Sequence, residues 1–330
     1  MKPRPSAQTD YITDNPVFDP SRPGNSEIRK HYFLDRYVVI APKRNLRPDS
    51  FAVATGEHKT ETSTSRAIEK DPAIFEIKGP DKKWQVKAID NAYPALSLDN
   101  PKAFGKQEII IETPDHNVEF SELPIAQIER VFEAYINRTT TLKKLHGIRY
   151  VSVFKNDGPK AGASIAHAHS QVAAVPIVPP HIVSEAEQIQ AYMIEHQTCP
   201  HCDVISWERQ QKVRVIFEDK HILAISPYAT RYPFGVWILP KMHKSNFSEL
   251  SGDERHSIAT ILKKITASLD TANISFNYFL HDSLDGFNHH FILQVEPRVT
   301  IWAGFEVATG LIINPVPPEY AAMWYNGKVK

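Results

Sequence analysis

The spacing of apolar positions changes period along this chain, and it changes twice in the same way. Glu108-Ile109-Ile110-Ile111 and Val236-Trp237-Ile238-Leu239 are β-branched and aromatic runs that predict buried strands. Each is followed by a helical pattern. Ile125, Ile128, Val131, Phe132, Tyr135 and Ile136 fall on one helix face, as do Ile258, Ile261, Leu262, Ile265 and Leu269. A β-rich stretch then returns, at Tyr150–Phe154 and at Phe276–Leu280. Strands, one long helix and strands again, joined by short links and without a βαβ alternation, predict α+β units with antiparallel sheets. Residues 1–30 are rich in Pro, Ser, Asp and Asn and lack apolar periodicity, which predicts an extended, loosely ordered arm.

The recurrence extends to individual residues. His116 precedes Phe120-Ser121-Glu122-Leu123, and His243 precedes Phe247-Ser248-Glu249-Leu250 at the same spacing. After the second β-rich stretch come loops at Asn156-Asp157-Gly158 and Ser283–Gly286. Then follow His167-Ala168-His169-Ser170-Gln171 and His290-Phe291-Ile292-Leu293-Gln294. Strand, His, FSEL, helix, strand, loop, His and Gln in one order is the signature of an internal repeat. The predicted organisation is an arm at 1–30, a first unit at 31–193 and a second at 194–330, packed as a pseudo-dimer.

Composition narrows the function class. The 330 residues are 42% hydrophobic and 23% charged, with 38 basic and 38 acidic side chains. Such a chain buries a sizeable core, and its balanced charge argues against nucleic acid or an anionic membrane as partner. Met1–Asp10 has no apolar h-region, and no run approaches the ~20 apolar residues of a membrane span. The expected location is cytoplasmic.

In a strand, residues i, i+2 and i+4 share a face. His167, His169 and Gln171 are thus expected on one surface, where the second unit has His290, Ile292 and Gln294. The central imidazole of the first unit is replaced by an apolar side chain in the second, so one chemical site is expected, in the first unit. The loop Gly158-Pro159-Lys160-Ala161-Gly162-Ala163-Ser164 lets backbone N–H groups approach anionic oxygens, and Ser164 adds a hydroxyl donor. Imidazole, with an unperturbed pKa of about 6.5, is a nucleophile at neutral pH without much activation. Gln171 can donate an amide N–H to a phosphoryl oxygen. Phosphate chemistry with His169 as nucleophile follows.

The only cysteines form Cys199-Pro200-His201-Cys202. A redox pair should follow a strand and open a helix, whereas this one follows a predicted helix (Glu185–His196) and precedes Asp203-Val204-Ile205. Two buried thiols are a second reading. The third is zinc, for which the repeat supplies two imidazoles: Cys199, Cys202, His243 and His290 would close a structural tetrahedral site. The matching His116 and His167 of the first unit face Thr60-Glu61-Thr62-Ser63-Thr64, without cysteine, so no metal is expected there; His58 and Glu61 are the nearest substitutes.

These residues resemble the galactose-1-phosphate uridylyltransferase family of the histidine-triad (HIT) superfamily, including its plant ADP-glucose phosphorylase branch. The resemblance runs from about Tyr37 to Ala322 and is carried by Asn156–Pro180, Arg231–His243 and Ala303–Pro315. It implies two tandem HIT-like units and a homodimer. It implies transfer of a nucleotidyl group between a nucleoside-diphosphate sugar and a sugar 1-phosphate, carried on His169 and steadied by Gln171 and Ser164. Arg44 and Arg47 resemble the family's arginine pair near the phosphates. Asn91 resembles an asparagine at the nucleotide, and Asn156, His167 and Glu306 are further expected substrate contacts. A glutamine at position 171, where hydrolase branches carry a third His, suits transfer. The missing first Cys pair, and Thr300 and Ile312 where hexose enzymes have lysine and glutamine, are departures. They keep two alternatives open: an ADP-glucose or dinucleotide phosphorylase, and a nucleotide-binding protein of weak activity.

Overall fold

The structure is a computed structural model and describes residues 24–46, 68–163 and 165–329. The chain opens with β1 (Glu27–Lys30), β2 (Tyr37–Ile40), β3 (Ala73–Lys78), β4 (Trp84–Asp90) and β5 (Lys106–Ile111). Next come α1 (Ile125–Lys143), β6 (Tyr150–Asp157), β7 (His169–Val175), α2 (Pro180–His196) and α3 (Pro200–Gln211). The second half holds β8 (Val215–Glu218), β9 (Ile222–Ile225), β10 (Val236–Pro240), α4 (Gly252–Thr271), β11 (Phe276–His281), β12 (Ile292–Pro297), α5 (Gly304–Thr309), β13 (Ile312–Asn314) and α6 (Pro318–Tyr325).

The predicted strands, helices and antiparallel pairing are present. One ten-stranded sheet runs β3-β4-β5-β7-β6-β11-β12-β10-β9-β8. The units meet at β6 and β11, where Phe154 lies opposite Phe279. Those two residues also lie opposite Gln171 and Gln294 on their other sides. Phe154 is therefore paired with its own repeat counterpart, and the pseudo-twofold axis passes through this pair. Helices α1 and α4 cover one sheet face. Ile128, Val131, Phe132 and Tyr135 of α1 and Ile258, Ile261, Leu262, Ile265 and Leu269 of α4 are buried in one apolar cluster with Val153, Val172, Tyr278 and Val295. That shared core makes the two units one folding body.

Residues 27–30, the end of the stretch expected to be extended or poorly ordered, form β1, antiparallel to β2, which also pairs in parallel with β13. The cause is an ion pair: Arg29 is buried, donates to Glu319 at 2.9 Å and lies 4.4 Å from the Tyr228 ring centre. The segment after β1 also belongs in space to the second unit. Phe33 and Leu34 pack with Ile189 of α2, Val204 and Ile205 of α3, and Trp237 and Ile292. Among the described residues no helix is long and apolar enough to cross a membrane.

Arg214 sits at the centre of this anchoring. It is fully buried and bonds Glu208 at 2.9 Å and Glu319 at 3.0 Å, the carboxylate that also holds Arg29. Removing one partner of a buried network strands the others. Arg214→Ala should cost about 3–5 kcal/mol in urea unfolding, and a loss below 1 kcal/mol would mean that the two carboxylates find other partners.

Candidate functional site

The strand that carries His169 is positioned from below by a buried polar cluster. Lys155 and Glu112 are almost inaccessible, on the helix-covered side of the sheet, with Nζ donating to Glu112 Oε2 at 2.8 Å. Lys155 also donates to His169 O at 2.9 Å, and Ser170 Oγ donates to Glu112 Oε1 at 2.8 Å. Tyr135 donates to Ser170 at 2.7 Å, and its hydroxyl meets that of Tyr278 at 2.6 Å. Burial works to lower the Lys155 pKa, but Glu112 and then Asp157 outweigh it, so the net shift is upward and the ammonium stays charged. The sequence signal for this cluster is a charged residue at an inward position of an alternating strand, Lys155 between Phe154 and Asn156.

His169 opens β7, opposite Ile111 of β5, and its side shared with Gln171 is the sheet face not covered by α1 and α4. Its Nδ1–H donates to His167 O at 2.8 Å. That bond assigns the proton to Nδ1 and leaves Nε2 with the free lone pair. Burial, followed by the Lys155 charge, lowers the His169 pKa to about 4. The imidazole is therefore neutral across physiological pH.

The other expected site residues divide. His167 lies just before β7 rather than in it. Its ring is buried, with Nε2 donating to Thr113 O at 2.7 Å and Nδ1 facing His116 Nδ1 at 3.0 Å, so both nitrogens are engaged within the protein. Asn156 lies on the uncovered face and accepts from Asn277 Nδ2 at 2.8 Å. It lines a groove of about 560 Å³ across the two units, with Phe154 and Phe279 among its walls. Asn91 follows β4 and accepts from Tyr93 N through Oδ1 at 2.9 Å. Arg44 is half-buried in a short helical turn at Pro42–Leu46. Glu306 is in α5, and its carboxylate accepts from Ala303 N at 3.0 Å, capping its own helix. Ser164 and Arg47 lie outside the described residues.

The cysteine pair does open a helix, since Asp203-Val204-Ile205 belong to α3, but it follows α2 rather than a strand. Cys199, Cys202, His243 and His290 converge, with ligand atoms all within 4.8 Å of one another. Cys202 Sγ is 3.5 Å from His243 Nδ1 and 3.6 Å from His290 Nδ1. Legs of about 2.3 Å to sulfur and 2.0–2.1 Å to nitrogen at tetrahedral angles separate S and N by about 3.5 Å. The donor set thus fits a tetrahedral ion. His290 Nε2 donates to Pro240 O at 2.8 Å and His243 Nε2 meets Asn288 Oδ1 at 3.2 Å, which turns both Nδ1 lone pairs to the centre. The hydrogen bond between the two thiols holds Cys199 well below the usual thiol range and pushes Cys202 up.

In the first unit Glu69, His116 and His167 form a second group that could hold a metal. Glu69 was not among the residues considered from sequence, because it lies beyond the stretch where the Cys pair was sought. His58 and Glu61 lie outside the described residues.

A neutral, buried imidazole with one fixed lone pair thus stands beside a neutral amide on one of two pseudo-symmetric units. The N-terminal domain of galactose-1-phosphate uridyl transferase matches residues 75–179, and the C-terminal domain of the same enzyme matches residues 185–298. The chain belongs to the galactose-1-phosphate uridyl transferase family. It is 32% identical to the ADP-glucose phosphorylase of Arabidopsis thaliana, over 90% of this chain and 91% of that one. It is 30% identical to the galactose-1-phosphate uridylyltransferase of Thermotoga maritima, over 90% and 96%. The solved structure of the Arabidopsis ADP-glucose phosphorylase with bound ADP-glucose superimposes with a TM-score of 0.80 at 30% identity, covering 93% of this chain and 99% of that one.

The depressed His169 pKa gives a pH prediction. Because the folded value lies below the unfolded one, the neutral ring's contribution to stability is full above about pH 6.5 and is lost as pH falls toward 4. Wild type should lose stability relative to His169→Asn over that window. The single-turnover rate of labelling at His169 should stay flat from pH 8 to 5.5; a half-loss near pH 6.5 would show that the ring titrates like a solvated histidine.

Proposed function

We propose that the protein catalyses nucleotidyl transfer from a nucleoside-diphosphate sugar to a sugar 1-phosphate by a ping-pong route through a nucleotidyl-histidine. His169 Nε2 attacks the phosphorus that bears the nucleoside. The bond to the bridging oxygen breaks, and a sugar 1-phosphate leaves. A phosphate oxygen of the second sugar 1-phosphate then attacks the same phosphorus, a P–O bond forms, and the P–N bond breaks with its electron pair returning to Nε2. Gln171 donates to a non-bridging oxygen as charge develops, without adding a charge of its own. The observation that carries the reading is the Nδ1–H bond to His167 O, which fixes the nucleophilic nitrogen. His167 acts through that carbonyl, as a positioning residue. Ser164, Arg44, Arg47, Asn91, Asn156 and Glu306 are the further residues assigned to substrate.

UDP-glucose with a hexose 1-phosphate acceptor is the first pairing to test. ADP-glucose with inorganic phosphate is the second. It is favoured by the similarity to the Arabidopsis enzyme and by Thr300 and Ile312 at the two departing positions. We assign zinc to Cys199, Cys202, His243 and His290, where thiolates and imidazoles suit that ion. When bound, it would cross-link α3 to the ends of β10 and β12. A homodimer in the cytoplasm completes the reading.

Three outcomes test it. Mixing the protein with UDP-glucose or ADP-glucose labelled in the nucleotide should give an acid-labile, base-stable adduct, abolished in His169→Ala; equal labelling of that variant would overturn the mechanism. Gln171→Ala should slow adduct formation about 10²–10³-fold with the adduct still formed, by rapid quench. The purified protein should hold zinc through the second-unit site, lost in Cys202→Ser with a lower melting temperature; a protein that keeps its full zinc content in that variant would remove the site.

A further inference from the structure

The pseudo-twofold axis places a second polar cavity where the first unit has His169 and Gln171. Gln294 lies opposite Phe279 as Gln171 lies opposite Phe154, and Ile292 stands where the nucleophile would be. Behind Gln294 is a cavity of about 150 Å³, several times the ~30 Å³ that one water occupies in the liquid. The β1–β2 turn closes it with His31 and Arg36, and the loop before β10 adds Arg231.

Its cations are fixed but not neutralised. Arg231 lies over the Trp302 ring at 4.9 Å and Arg298 over the Tyr232 ring at 5.1 Å, and those two rings stack on each other at 5.2 Å. Stacking holds a guanidinium plane while leaving its N–H edge free. Neither arginine forms an ion pair with a carboxylate among the described residues. Arg36 is paired on one arm, with Glu185 at 3.0 Å. The Nε atoms of all three arginines are buried without a partner, as is Nε2 of the buried His31. The remaining acid is Glu296. Burial pushes it up to about 7 in spite of Arg231, Arg298 and Arg36 nearby, so it carries only part of a charge at neutrality. Arg36 and Arg231 thus line the cavity with Glu185 and a partly charged Glu296, Arg298 stands in the adjoining groove, and three buried donor nitrogens at the cavity wall, on Arg36, Arg231 and His31, have no partner. Unpaired buried charge is costly, so an anion entering here is favoured.

We infer that this cavity is a second phosphoryl-binding site, which holds a phosphate without reacting with it because Ile292 replaces the nucleophile. The phosphoryl group sits between Arg36, Arg231 and Gln294, with Arg298 at the mouth. The mouth opens on the groove that Phe279 and Glu296 share with the cavity. A free phosphate fills the cavity alone, whereas a sugar phosphate would extend its ring into the groove.

The site is tested on the intact metal-loaded protein by equilibrium dialysis with labelled orthophosphate and, separately, glucose 1-phosphate. Wild type should bind two equivalents of one or both ligands. Arg231→Gln should weaken the second equivalent at least about tenfold while labelling of His169 by nucleotide sugar proceeds at the wild-type rate. The ligand with the tighter second equivalent identifies the source. Tungstate soaked into wild-type crystals should give anomalous density between Arg231, Arg36 and Gln294, which decides the matter even if the variant fails to fold. A single equivalent for both ligands, an unchanged second equivalent in a folded variant, or tungstate confined to the His169 face would each overturn the proposal. These outcomes are separate from the adduct assay, so loss of this site leaves the catalytic reading standing.

Discussion

One buried ion pair, Lys155 with Glu112, underlies the strand that carries His169. It is nearly excluded from solvent on the helix-covered side of the sheet, and its three polar branches reach the adjacent strand. Lys155 holds the carbonyl of His169, while Glu112 holds the hydroxyl of the next residue and, through its backbone N–H, the carbonyl of Ala168. The strand can neither slide nor twist without leaving a buried charge unpaired, which is expensive. The same ammonium charge helps keep the His169 ring neutral. Lys155 therefore helps to place His169 and, second to burial, to keep its ring neutral.

The second constraint is symmetry. Pairing of β6 with β11 joins two copies of one unit through a central strand pair, and α1 and α4 pack side by side over it. A sheet continuous across the axis needs no separate interface, and its uncovered face presents two equivalent positions. Divergence at a few side chains then gave those positions different chemistry. The first has an imidazole over a neutral amide. The second has a branched apolar side chain, the same amide and a set of stacked guanidiniums. The metal-type donor sets diverged in parallel, with the tautomer of His167 and of His290 fixed alike by a backbone carbonyl.

Much of this was legible before any coordinates. Apolar periodicity identified α1, α4 and the central strands because each buries a continuous face, and burial selects apolar residues at the period of the element. The repeat located both histidine motifs and paired the cysteines with His243 and His290. Several features escaped for an identifiable reason. β1 looked like loose arm because its order comes from Arg29 meeting Glu319, distant in sequence. Glu69 was overlooked because nothing local marks a carboxylate as facing His116 and His167. His167 was expected on the strand with His169, whereas it lies just before β7.

The sequence by itself determined the elements, their order, the duplication and the positions of both histidine motifs. All of these are properties of local period and of motif spacing. Tertiary structure alone decided which charges stand beneath His169, and that the β1–β2 segment packs against the second unit. Those outcomes depend on pairs such as Lys155 with Glu112 and Arg214 with Glu319, whose members lie 43 and 105 positions apart in the chain. No window of sequence contains both partners, and a charge declares its purpose only when its counter-charge is in place.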